Sequence, residues 1–190
     1  HVGGVAGNIS EENKLIAKFD GIAEIEDLKT VKSSDGDHLI VVSRSGELRI
    51  KDQKTGILAG TYNVPYGSKL HVSGNTKVKS GTIICEWDPY NAVIVSETDG
   101  KIGFENIEEG FSFKVESDEQ TGFVEKVIVD SRDKKRIPTV HILKGEDVIR
   151  SYNMPVGAHI IINEGDTIKA GEILVKIPRA SGKSGDITGG

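Results

Sequence analysis

Cysteine is almost absent. Cys85 is the single one, so the chain can form no internal disulfide. It sits in the apolar run "TIICEW", where it reads as a small buried hydrophobe in a protein suited to a reducing compartment. Aromatic residues are scarce at 5%, the hydrophobic fraction is 36%, and there is one tryptophan and one methionine. That supply fits two small cores better than one large one. No stretch approaches the roughly 20 apolar residues of a membrane-spanning helix, and no secretory signal opens the sequence. A cytoplasmic protein with no membrane partner is the resulting expectation. Lys and Arg number 24 against 29 Asp and Glu, a formal charge of −5. The one basic cluster, "SRDKKR" at Ser131–Arg136, reads as a charged turn and not as a nucleic-acid patch.

Metal and nucleophile signatures are also missing. The five histidines, His1, His38, His71, His141 and His159, have no partner at metal-ligand spacing. His71 and His159 read as solvent-facing strand residues. Asp35 and Asp37 in "SSDGDH" lack the spacing of a calcium loop and read as a solvated turn. "SGKSG" at Ser181–Gly185 has Ile177 where a phosphate loop needs its first glycine. No metal or cofactor site is expected in this chain. Little of it reads as helix.

What the sequence does have is a long repeat. Tyr62–Pro89, "YNVPYGSKLHVSGNTKVKSGTIICEWDP", aligns without a gap onto Tyr152–Arg179, "YNMPVGAHIIINEGDTIKAGEILVKIPR". Tyr62/Tyr152, Asn63/Asn153, Pro65/Pro155, Gly67/Gly157, Lys79/Lys169, Gly81/Gly171 and Ile83/Ile173 are identical. Leu70 and Val72 match Ile160 and Ile162, and Val78 matches Ile168. Apolar residues two apart mark half-buried strands, with Gly and Pro supplying the turns between them. Tyr62 and Tyr152 read as structural, and Trp87, which aligns with Ile177, as core.

The similarity extends upstream. Asp20-Gly21 matches Asp99-Gly100 at an offset of 79, and both read as tight hairpin turns. Val42-Ser43-Arg44 is set against Asp130-Ser131-Arg132 at an offset of 88, against 90 in the repeat itself. On that alignment nearly all the extra length of the second copy lies before Asp130, around "EEGFSFKVESDEQTG". The expected architecture is all-β, two tandem small barrels: residues 14–92 form one module, 93–180 the other, and 1–13 and 181–190 flank them.

"EGDTIKAGEILVKI" also resembles part of a biotinyl or lipoyl carrier barrel. No lysine stands in the tight hairpin where that family attaches its cofactor. A carrier, or a generic β-barrel interaction module, is the alternative reading.

The two ends carry the sharper resemblance. "HVGG" at His1–Gly4 and "DITGG" at Asp186–Gly190 resemble the two sides of the trigger loop in the β′ subunit of bacterial DNA-directed RNA polymerase. Between them, "YNVPYG", "EWDPYNAVIVSETDGKIGF" and "DEQTGF" are similar to the insertion that some lineages carry inside that loop. The resemblance covers essentially the whole chain. It implies two sandwich-barrel hybrid modules that move with the trigger loop and modulate elongation, pausing and transcript cleavage. His1 would be the trigger-loop histidine that approaches the nucleoside triphosphate, catalytic only in the intact nucleotidyltransferase. The parent enzyme would use magnesium and zinc through residues outside this chain. The partners implied are the rest of β′ and the other polymerase subunits, with DNA and RNA met only through the complex; the isolated chain would be a monomer without polymerase activity. Tyr66, Tyr90 and Phe111 are candidate contact residues.

Overall fold

Turns with a positive φ organise the chain. The computed structural model describes residues 12–117 and 119–179. In Pro65–Ser68, Ser73–Thr76 and Lys79–Thr82 the third residue has positive φ: Gly67 (84°), Asn75 (63°) and Gly81 (94°). The second copy repeats this at Gly157 (91°), Gly165 (90°) and Gly171 (89°). Only residues that tolerate the left-handed region can occupy these corners, which explains the Gly and Asn of the repeat. Each corner delivers a short strand back into a sheet.

The strands of the first half are β1 (Lys14–Ile16), β2 (Gly21–Glu26), β3 (Thr30–Lys32), β4 (Leu39–Val41), β5 (Glu47–Lys51), β6 (Leu58–Asn63), β7 (Lys69–Leu70), β8 (Lys77–Val78) and β9 (Ile83–Glu86). Those of the second are β10 (Asn91–Val95), β11 (Gly100–Glu105), β12 (Phe113–Ser117), β13 (Val124–Ile128), β14 (Thr139–Lys144), β15 (Asp147–Asn153), β16 (His159–Ile160), β17 (Thr167–Ile168) and β18 (Ile173–Pro178). No helix occurs among the described residues, so the all-β expectation holds. The chain divides into two compact units, one reaching Tyr90 and taking up Arg179, the other running from Asn91 to Pro178.

In the first unit a five-stranded sheet, β1-β9-β7-β4-β3, and a four-stranded sheet, β6-β5-β2-β8, enclose one core. Val41, Leu70, Ile84 and Cys85 come from the first sheet; Ala23, Leu48, Ile50, Tyr62 and Val78 come from the second. Trp87 packs at the core margin, as assigned from the repeat. The second unit repeats the plan with β10-β18-β16-β13-β12 and β15-β14-β11-β17 around Ile102, Ile128, Val140, Ile142, Leu174 and Val175. Even the irregularities recur. The β1–β9 ladder slips between Leu15 and Ile16, and the β10–β18 ladder slips between Ile94 and Val95.

The repeated tyrosines tie strand ends together. Tyr62 Oη accepts the Lys18 N–H at 2.8 Å, and Tyr152 Oη accepts the Glu97 N–H at 2.9 Å. Their structural role follows from these matched bonds.

Two local readings are corrected. Asp20-Gly21 and Asp99-Gly100 are not hairpin turns. β1 pairs with β9 and β2 pairs with β5 and β8, so the dipeptide carries the chain from one sheet to the other. The aspartate accepts a backbone N–H from the repeat's last corner, Ser80 to Asp20 at 2.7 Å and Ala170 to Asp99 at 2.8 Å. The glycine is required by crowding: a Cβ would lie 2.3 Å from the Lys51 carbonyl oxygen at Gly21 and 2.7 Å from that of Leu143 at Gly100.

The alignment around Asp130 is also off by one. Val42 N–H bonds to Lys29 O, and Val129 N–H bonds to Ser112 O, so Val42 matches Val129 at an offset of 87. Ile50 pairs with Ala23, and Ile142 pairs with Ile102, so the offset there is 92. Asn63 matches Asn153 at 90, because β14 and β15 are joined by a tighter turn. The added length therefore lies on both sides of Asp130. It forms the loop before β12, a longer β12–β13 hairpin and the loop 130–138.

Candidate functional site

The clearest constructed feature is the place where the chain enters and leaves the first unit. β1 runs antiparallel to β9, with Lys14 opposite Glu86, and Trp87 N–H bonds to Asn13 O at 2.8 Å. At the other end Arg179 N–H bonds to Tyr90 O at 2.8 Å, and Arg179 Nε donates to Asp88 O at 3.1 Å. Both described ends are thus fastened to Trp87–Tyr90. Three residue steps plus two cross-strand spacings separate them by no more than about 20 Å. A folded body whose ends lie this close can interrupt a loop without pulling it apart.

The second feature is the pair of added loops in the second unit. Arg136 in loop 130–138 donates to Glu108 Oε2 at 2.5 Å and to Asn106 Oδ1 at 3.3 Å, and its guanidinium lies 4.1 Å from the centre of the Phe111 ring. Asn106 Nδ2 donates to Ile137 O at 3.1 Å. Arg136, from the basic cluster, is therefore a clamp between loops, and Phe111 is half-buried beneath it. Lys134 pairs with Asp130 in the same loop. Tyr90 is exposed beside the chain junction, and Tyr66 is half-buried in the first repeated corner.

The histidines meet carboxylates that the sequence reading did not assign to them. His71 Nε2 lies 2.8 Å from Glu86 Oε2, and His159 Nδ1 lies 2.5 Å from Glu125 Oε2. His141 bridges three strands, with Nε2 2.8 Å from Glu105 Oε1 and Nδ1 2.7 Å from Ser151 Oγ. A cross-strand spacing of two residues brings such pairs together, and only the register reveals it. The Ser151–His141–Glu105 line has the residue types of a nucleophile relay. It lies on the outer face of its sheet, because the flanking Val140 and Ile142 point into the core, and Ser151 and Glu105 are open to water. Such machinery works in a cavity that excludes water and holds the substrate.

Two open polar hollows of about 260 Å³ lie elsewhere, one lined by Glu26, Glu47 and Arg49, the other by His38, His71 and Asp37. Among the described residues no three His, Cys, Asp or Glu side chains gather to hold a metal. Asp35 is occupied in its own turn, accepting bonds from Ser33 Oγ and from the Asp37 N–H. These bonds hold its carboxyl below the usual carboxylate range. Burial pushes the Cys85 thiol up. No described helix is long and apolar enough to cross a membrane. His1, expected to be catalytic in the parent enzyme, lies outside the described residues, as do residues 1–11 and 180–190 of the flanks.

Fold and site together define a class: a tandem all-β chain whose two described ends are fastened to one short segment, Trp87–Tyr90. No family model matches the chain. Over its full length it is 61% identical to part of the DNA-directed RNA polymerase subunit β′ of Flavobacterium psychrophilum, 52% to that of Parabacteroides distasonis and 50% to that of Bacteroides thetaiotaomicron. In each case the chain spans 14% of the length of the curated relative it matches. The chain therefore corresponds to a segment of a bacterial RNA polymerase β′ subunit, as the sequence resemblance implied.

Proposed function

We propose that the chain is an insertion carried within the trigger loop of β′ and that it moves with that loop. The observation that carries this reading is the fastening of Asn13 and Arg179 to Trp87–Tyr90. A loop interrupted at these points keeps two neighbouring ends, so its folding and unfolding displace both units as a load. Contacts that the load makes in one loop state favour that state, and by linkage they alter elongation, pausing and transcript cleavage. Each unit is then a sandwich-barrel hybrid module, and the parent complex is the cytoplasmic nucleotidyltransferase that makes RNA on DNA.

The chain's partners in this reading are the remainder of β′ and the other subunits. His1 would stand on the host loop beside the nucleoside triphosphate, while residues beyond this chain hold magnesium and zinc. The described units act through position. The test is to delete Lys14–Arg179 from the whole polymerase, rejoin the loop, and follow pausing, elongation and cleavage on one template. Altered pause lifetimes or elongation rates are expected; kinetics identical to the intact enzyme refute the reading.

A further inference from the structure

The lengthened β12–β13 hairpin projects past its own core. Residues directly opposite share a face, and Phe113↔Ile128, Val115↔Lys126 and Ser117↔Val124 form one such row. Phe113 and Ile128 are buried. Val115 and Val124 continue the same inward-directed face beyond the last residues that cover it. Val124 is 65% exposed and the adjoining Phe123 is 71% exposed. The matching hairpin of the first unit, β3–β4, is shorter, and its tip is closed by the polar turn of Ser33 and Asp35. The added length therefore extends that face past the unit's own core, with Val115 and Val124 exposed on it beside Lys126 and Ser117, and β12 is an edge strand.

Charge narrows what can cover it. Residues 116–125 contain Glu116, Asp118, Glu119 and Glu125 and neither Lys nor Arg. Glu116 and Glu125 oppose each other one pair short of the end of the ladder, where Lys114 meets Glu116 at 3.2 Å and His159 meets Glu125, and Glu119 follows in the connecting segment, so the acidic excess lies at the tip end of the hairpin. An acidic rim around exposed Phe and Val repels nucleic acid and a second copy of the same hairpin, and it complements a basic protein surface with an apolar recess.

We infer that this hairpin is the docking element of the chain, seating Phe123 and Val124 in an apolar recess rimmed by Lys or Arg on another protein region of the polymerase. The inference rests on the β′-insertion reading above. It places the energetic contact in the second unit, on residues that the first unit has no counterpart for.

The experiment uses the whole polymerase with a photo-crosslinking phenylalanine analogue at position 123, followed by peptide mapping, with and without E116K/E119K. A second variant, F123D/V124D, is assayed for pausing beside the deletion described above. The expected results are a crosslink to a Lys/Arg-rich polymerase peptide and a yield at least about ten-fold lower with E116K/E119K. F123D/V124D should move pause lifetimes in the same direction as the deletion, with the melting temperature of the chain unchanged because both side chains are exposed. Crosslinks to nucleic acid, to a second copy, or to nothing overturn the docking inference, as does F123D/V124D behaving like the intact enzyme while the deletion alters pausing. If the deletion itself has no effect, the insertion reading fails with it.

Discussion

Gly165 offers a test in which each unit controls for the other. It is the third residue of the Asn163–Asp166 corner, at φ 90°, with Asp166 N–H bonded back to Asn163 O at 3.1 Å. Its own N–H bonds to Ile102 O at 2.8 Å, which an L-residue would preserve. A Cβ built there meets nothing within 4 Å, so substitution carries no packing clash. The cost of Gly165→Ala is therefore that of holding an L-residue in the left-handed region, about 1–2 kcal/mol. The second unit, 91–178, is in the size range where 1 kcal/mol moves the melting temperature by about 4–8 °C, so a drop of about 4–15 °C is expected by calorimetry. Gly165→Asn should lose less than half as much, because the equivalent corner of the first unit already holds Asn75 at φ 63°. Asn75→Ala should repeat the alanine cost in the first unit. Equal losses for Ala and Asn, or no loss for Ala, would refute the claim that these corners are set by backbone conformation.

Gly100 should behave oppositely. There a Cβ would lie 2.7 Å from the Leu143 carbonyl oxygen, so Ala and Asn should both destabilise by roughly 1–3 kcal/mol in urea titrations, with no rescue by Asn. Cys85 is fully buried and its thiol is pushed up by burial, so a disulfide reagent at neutral pH should label it only as fast as the first unit opens. Prompt labelling of the folded chain would contradict that. Asp35 and Asp52 have carboxyls held below the usual carboxylate range. Hydrogen bonds from Ser33 and the Asp37 N–H hold Asp35, and the Thr55 and Lys54 N–H groups hold Asp52. A lowered folded pKa means that their contribution is complete above the ordinary carboxylate range and is lost as pH falls through the folded values. D35N/D52N should therefore reduce stability at neutral pH and flatten its decline below about pH 4. An unchanged acid limb would show that these turns contribute nothing.

Much of the architecture was legible because the same local demand is written twice. Alternating Leu70, Val72 and Val78 against Ile160, Ile162 and Ile168 announces strands, and the paired glycines announce corners whose φ is positive. Such signals are local, and a strand's period or a turn's φ is a property of a few neighbouring residues. Misreadings arose where the cause was distant. Asp-Gly has the composition of a hairpin, yet Gly100 is there because Leu143, more than forty positions away, passes too close for a Cβ. Near Asp130 the short "Ser-Arg" identity points one residue away from the true register, which the Val129–Ser112 bond sets.

The candidate site divides in the same way. Composition and repeat alone determined that the chain is all-β, doubled, poor in cysteine and without a metal-ligand spacing. Pairing His141 with Glu105 and Ser151, closing Arg136 over Phe111, and leaving Phe123 and Val124 uncovered required the register of strands remote in sequence. The decisive geometric fact, that Asn13 and Arg179 are both held by the segment Trp87–Tyr90, is also tertiary. Backbone bonds between residues as far apart in the chain as Asn13 and Trp87, or Tyr90 and Arg179, leave no periodic trace in the sequence, so only the folded ladders could bring the two ends together.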